Sequence, residues 1–211
     1  MIRHLVAGGH RTIAHVTGPI DNFDSHERER GYRDELAQSL PSAHPLVVRG
    51  DFTETSGYAA GRELGAQAPR PDAVFAANDV MAIGCLAAFD ALGLAVPGDI
   101  AVAGFDDIPL AAFVRPTLTT MRVQIVELGR GAVTQLAAAI ADAESTQVIA
   151  TTLRPELVVR ESCGAASRAQ PSSPSVRDGV HDEQPHHQND SPSRNDHPPP
   201  APPAHRRIRR S

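Results

Sequence analysis

Lysine is absent from the 211-residue sequence: all 20 basic residues are arginine, a bias that a GC-rich genome imposes without any functional demand. Cysteine is nearly absent too. Cys85 lies inside an apolar helical run and Cys163 beside a polar tail, and neither has a metal-type partner at close spacing. Two such isolated thiols exclude a disulfide framework and fit a reducing compartment. No apolar run approaches the ~18 residues of a membrane span, and the apolar core of MIRHLVAGGHR is too short for a secretion signal. A cytoplasmic protein with no membrane partner is therefore expected.

Catalytic signatures are lacking as well. There is no GxxxxGK[ST] phosphate loop, no GxGxxG after a strand, no GxSxG elbow and no HExxH. No catalytic residue, metal ligand or cofactor is expected. Gly57, Gly61 and Gly65 recur every four residues, a spacing that gives a small-residue packing face inside a helix. His181, His186 and His187 sit in a Pro-rich context that suits adventitious metal capture only.

Composition divides the chain unequally. From Ala165 to Ser211 there is no Phe, Tyr, Trp or Leu, while 9 of the 18 prolines and 5 of the 10 histidines crowd in. Such a segment buries too little apolar surface to offset its ordering entropy, so a disordered tail over 164–211 is expected and a folded domain over 1–163. Up to Gly164 there are 13 Arg against 20 acidic residues; beyond it, 7 Arg against 5. The folded part is acidic and shows no basic patch of the kind that neutralises phosphates.

Within the domain, short β-rich runs alternate with helical ones, the pattern of an α/β doubly wound parallel sheet. Strands are read at Arg11–Thr17, Pro45–Arg49, Ala73–Ala77 and Ile100–Phe105. Helices are read from about Ser25 to Leu40, Thr53 to Ala66 and Asp79 to Leu92, the first with Asp24 and Glu27 at capping-box spacing. The alternation then breaks. Thr117–Met121 reads as a short strand, Val123–Ala143 as a long helix, and Ala150–Leu153 and Glu156–Arg160 as final extended stretches.

Each strand of the sheet ends in small or polar residues: Thr17 and Gly18, Gly50 and Asp51, Asn78 and Asp79, Asp106 and Asp107. Ligands of open α/β sheets bind outside the carboxyl ends of the strands. With Arg28 in the first helix, that edge gathers carboxylates, an amide and a guanidinium, suitable partners for hydroxyls that both donate and accept. Each residue also has a plainer reading. Asn78 is a natural helix cap; Asp106 and Asp107 are turn formers ahead of Pro109; Arg28 shares a helix with Glu29, Arg30, Arg33 and Asp34 at ion-pair spacings; Phe52 is as easily core as cleft.

The stretches HLVAGGHRTIAHVTGP (His4–Pro19), RERGY (Arg28–Tyr32), GDFTETSGYAAGREL (Gly50–Leu64), PDAVFAANDVMAIGCLAAFDALGLAVPGDIAVAGFDD (Pro71–Asp107), RPTLTTMR (Arg115–Arg122) and LVVRES (Leu157–Ser162) together resemble the LacI/GalR family of transcription repressors. The resemblance runs from Met1 to about Ser162. It implies a periplasmic-binding-protein-like core of two α/β subdomains with a small effector, a sugar or related molecule, between them. It places effector contacts on Arg28, Phe52, Asn78 and Asp106, and implies a homodimer that meets operator DNA through an amino-terminal head. Met1 falls where the family has already run through its helix-turn-helix, hinge helix and most of its first subdomain. The expectation is a complete carboxy-terminal subdomain without the head. Two other readings share the fold: a solute-binding protein of a sugar transporter, and an enzyme using Asp106 and Asp107 as acid and base.

Overall fold

The computed structural model describes residues 1–141 and 152–165, all of them within one compact unit, Met1–Ser172. Its centre is a four-stranded parallel sheet in the order β2-β1-β3-β4, formed by β1 (Ile13–Thr17), β2 (Leu46–Arg49), β3 (Ala73–Ala76) and β4 (Ala101–Ala103). The register sets Val16 beside Val48 and Ala76, and Phe75 beside Ala103. β1, β3 and β4 are buried on both faces, which is why β3 and β4 read as short unbroken apolar runs.

The two faces are covered by different helices. α3 (Glu54–Gly65) and α4 (Asp79–Ala91) bury Leu64, Met81, Cys85 and Phe89 against Ala14, Val16, Val74 and Val102. α1 (Ile2–Ala7) and α2 (Phe23–Ser39) bury Ile2, Leu5, Tyr32 and Leu36 against Ile13, Phe75 and Ala103. The alternation along β1 follows the two-residue period of a strand. Its odd member is His15, stacked between Tyr32 at 5.1 Å and Phe75 at 5.0 Å, with Nδ1 2.9 Å from the Phe75 carbonyl. Burial pulls its pKa down to about 4, so the ring is neutral and behaves as core. Tyr32 pins α2 to the sheet, donating to the Ile13 carbonyl at 2.8 Å and accepting from the Leu46 amide at 3.0 Å.

α3 and α4 meet through their glycines. A Cβ on Gly57 would lie 2.2 Å from the Met81 carbonyl oxygen, and one on Gly61 2.7 Å from Ala88 Cβ. The four-residue glycine spacing is thus a packing face, as expected.

Several boundaries differ from those read in the sequence. α2 begins at Phe23, capped by Asn22, whose side chain accepts from the Ser25 amide; Asp24 sits in the first turn and the expected capping box does not form. α1 was not anticipated. The strand expected over Thr117–Met121 is β5 (Thr120–Arg122), antiparallel to β6 (Glu156–Val158), because Thr117 and Thr119 are engaged elsewhere. Thr117 donates its amide to Glu161 at 2.8 Å, and the Thr119 amide donates to Ser162 Oγ at 2.8 Å. Ser162 in turn donates to the Val102 carbonyl at 2.6 Å, so the returning chain is fastened to β4.

The long helix, α5 (Ile125–Ala141), buries none of its residues within the described chain; Ile125, Val126, Val133, Leu136 and Ile140 are all exposed. Thr152 and Leu153 have no regular structure, while the other half of that expected stretch lies outside the described residues, as do 166–211 of the expected tail.

Candidate functional site

Because the strands are parallel, their carboxyl ends share one edge, and the loops that follow carry every residue singled out there. Phe52 follows β2, Asn78 follows β3, Asp106 follows β4, and Arg28 reaches the edge from α2. The start of α2 is tied down by a buried hydrogen bond between Thr17 Oγ1 and Ser25 Oγ, 3.0 Å long, at the end of β1. This fixes Arg28 one turn later.

Arg28 stands at the centre. Its Nη1 donates to the Ala77 carbonyl, its Nη2 lies 3.4 Å from Asp106 Oδ1, and its Cζ sits 4.2 Å above the Phe105 ring and 6.0 Å from the Phe52 ring. Stacking on a ring face leaves guanidinium N–H groups in plane and directed at the edge. The ion-pair face expected on α2 does exist, as Arg33–Glu29 and Arg30–Glu27, but Arg28 stands apart from it.

The cap reading of Asn78 is correct, and its side chain also reaches a second loop. Its Oδ1 accepts from the Met81 amide at 2.9 Å as the cap of α4, and its Nδ2 donates to the Phe52 carbonyl at 3.1 Å. Phe52 is partly buried against the core and has φ 71, a conformation non-glycine residues rarely adopt. Its ring covers Gly18, where a Cβ would lie 2.3 Å from Phe52 Cε1. Gly18→Ala is therefore expected to dislodge the ring at a cost of about 1–3 kcal/mol. The check is the urea midpoint, and an unchanged value would contradict this packing.

Asp106 and Asp107 also have positive φ, 114 and 57, so the turn-forming reading is correct for both. Their side chains then diverge. Burial pushes the Asp106 carboxyl above its ordinary pKa, Arg28 opposes that, and Asp24 adds to it. Asp107 turns to Arg160 at 2.6 Å and Arg122 at 2.7 Å. Burial works against its charge, yet those two arginines hold its carboxyl below the usual range. Asp51 shares the edge, but its carboxylate folds back on Thr53, accepting from that amide at 2.9 Å.

One residue at this edge escaped the sequence reading, and another, Asp79, was placed there without its role. Phe105 is the platform beneath Arg28, and its only signal was an aromatic directly before the paired aspartates. Asp79, fully buried, accepts from the Ile108 amide at 2.9 Å and from Thr120 Oγ1 at 2.5 Å. A cavity of about 680 Å³ opens beside Arg28 and Phe105, lined also by Asp24, Tyr32, Phe75 and Glu35. Arg28 is the one residue of the four that lines it; Phe52, Asn78 and Asp106 do not. Among the described residues no cluster of three or more His, Cys, Asp or Glu has the geometry of a metal site. No described helix is long and apolar enough to cross a membrane.

The carboxyl edge of a doubly wound sheet, where α/β domains of this class bind their ligands, here carries a stacked arginine, a carboxylate, an amide and an aromatic. Residues 2–163 match the family described as "Periplasmic binding protein-like domain". The HTH-type transcriptional regulator CelR of Thermobifida fusca is 40% identical over 164 residues, covering 76% of this chain and 47% of that protein. The HTH-type transcriptional repressor PurR of Photorhabdus laumondii is 38% identical over 162 residues, with the same coverage. Among solved structures, a CelR–cellobiose complex superposes with a TM-score of 0.71 at 40% identity, covering 76% of this chain and 49% of that one. The Lac repressor dimer bound to operator and the anti-inducer ONPF gives 0.70 at 30% identity, over 77% and 48%. The chain belongs to the periplasmic binding protein-like family, in the form of a LacI/GalR-type effector-binding core. It spans about half the length of the curated relatives it matches.

Proposed function

We propose that this chain is the effector-sensing portion of a LacI-type transcription regulator, taking a sugar or related polyhydroxylated molecule at the edge formed by Arg28, Phe52, Asn78 and Asp106. The observation that carries this is the Arg28 guanidinium, stacked on Phe105 and 3.4 Å from the Asp106 carboxylate. At that separation the charges hold one another, and a ligand hydroxyl lying alongside the pair can donate to Asp106 and accept from Arg28. Phe52 supplies an apolar face for the ring of such a ligand. On this reading the domain is 1–163, and a second subdomain closes the cleft. A homodimer contacts operator DNA through a helix-turn-helix of the kind that the relatives' HTH-type names denote. Relatives named as transcription regulators favour this over a transporter's binding protein. The enzyme reading loses its acid–base pair, because Asp107 is held between two arginines. Its cofactor need is none.

Cellobiose, the ligand in the CelR complex, is the first probe. In the chain joined to an amino-terminal half of the kind its relatives carry, Asp106→Ala is expected to weaken cellobiose binding by about 1.5–3 kcal/mol, the range for a hydrogen bond to a charged group. Calorimetry checks it, and equal affinity of the two proteins would remove Asp106 from the site.

A further inference from the structure

Phe52 and Asp106, the two candidate ligand residues on loops, both have positive φ. Such conformations persist only where surrounding groups over-determine them. For both loops, holding groups come from two consecutive residues at the start of α4. Asn78 donates to the Phe52 carbonyl, as described above. Asp79 grips the loop from Gly104 to Ile108 at two points: its amide donates to the Phe105 carbonyl at 2.8 Å, and its carboxylate accepts from the Ile108 amide at 2.9 Å. The two points flank Asp106 and Asp107. The other carboxylate oxygen accepts from Thr120 Oγ1, and the Asp106 amide donates to the Met121 carbonyl at 2.9 Å, so the loop is held against β5 as well. Gly104 permits this grip, since a Cβ there would lie 2.2 Å from Asp79 Oδ1.

We propose that Asp79 is a positioning residue for the effector site: buried and out of reach of any ligand, it sets the loop that presents Asp106 to Arg28. The ligand half of this statement rests on the functional reading above; the loop half does not. Asp79 acts as an acceptor of two hydrogen bonds in fixed directions. An asparagine fills that role with its Oδ1 toward the Ile108 amide and its Nδ2 toward Thr120 Oγ1, which accepts as well as donates. An alanine leaves the Ile108 amide buried and unpaired.

The test is amide hydrogen exchange on the full chain, with the Val16 amide in β1 as the internal standard. Asp79→Ala is expected to speed exchange at Ile108 and Asp106 roughly tenfold or more while Val16 keeps its protection, and Asp79→Asn to return both amides to within about threefold of the original chain. If Asp79→Ala also strips protection from Val16, the deciding comparison is Thr120→Val, which removes one of the two anchors and is expected to speed Ile108 several-fold, with Val16 unchanged. Wild-type exchange at Ile108 in Asp79→Ala, or in Thr120→Val where it stands in, overturns the proposal. So does an Asp79→Asn chain that exchanges as fast as Asp79→Ala. A cellobiose titration of the same substitutions, each in the chain joined to an amino-terminal half of the kind its relatives carry, separates the two claims. Loss of binding in Asp79→Ala with recovery in Asp79→Asn supports both, whereas a wild-type chain silent to cellobiose counts against the ligand reading and leaves the exchange result to decide Asp79.

Discussion

Replacing Gly84 with alanine is expected to destabilise the domain by about 3 kcal/mol, the upper part of the usual range for forcing an extra methyl into a packed core. A Cβ there would lie 2.2 Å from the Glu54 carbonyl oxygen and 2.6 Å from the Tyr58 amide nitrogen. Both are backbone atoms of α3, so no side chain can rotate away and the helices must part. The facing contact makes relief harder, because Gly57 rests just as closely on the Met81 backbone. Parting α3 from α4 shifts the start of α4, where Asn78 and Asp79 hold the two ligand loops. Loss of stability and loss of ligand affinity should therefore travel together. Urea denaturation measures the first, and a change below about 0.5 kcal/mol, as for an ordinary surface substitution, would show that the helices do not meet as described.

The second large effect is a dependence on pH. Burial raises the Asp79 carboxyl from an ordinary 3.8 to about 6; hydrogen bonds from Thr120 and Ile108 oppose the shift, and the charges of Asp106 and Asp107 add to it. Between those two values the folded chain keeps a proton that the unfolded chain has released. Folding is therefore favoured at the acid end of the window, and this contribution is lost as pH rises through about 6. Asparagine at the same position does not titrate. The stability of Asp79→Asn relative to wild type should rise by about 2 kcal/mol between pH 4 and pH 8, with most of the change complete by pH 7. Parallel stability curves for the two proteins would mean that Asp79 is not desolvated.

The sheet was legible because its inner strands are buried on both faces, which leaves runs such as Ala73–Ala77 with no polar interruption. The position of the ligand edge was legible for a related reason: in a parallel sheet the first polar residues after each run fall at the same end. What the sequence hid depends on contacts distant along the chain. Asn22 outcompeted Asp24 as the cap of α2, and nothing in the local pattern ranks an asparagine two residues upstream above an aspartate at capping-box spacing. Thr117 and Thr119 look like strand residues by their β-branching, but their hydrogen bonds run to Glu161 and Ser162, more than forty residues onward. α1 is six residues long and closes on Gly8 and Gly9, too short for a helical period to show. Asp79 was legible only as a polar residue at the end of a strand. Its grip on the Asp106 loop is visible only when β3, β4 and β5 lie side by side.

Arg28, Phe52, Asn78 and Asp106 are proposed to act as one ligand-binding edge, and mapping a bound sugar by nuclear magnetic resonance tests that most directly. With cellobiose added to the chain joined to an amino-terminal half of the kind its relatives carry, the largest shifts should fall on the Arg28 guanidinium and on the amides of Phe52, Asn78 and Asp106, and Asp106→Ala should move them all to roughly tenfold to a hundredfold higher cellobiose. Shifts centred instead on Arg11, Thr12 and His44, which line a 440 Å³ cavity near the start of β1, would contradict the account. So would shifts along Arg3 and Glu35 that spare all four residues.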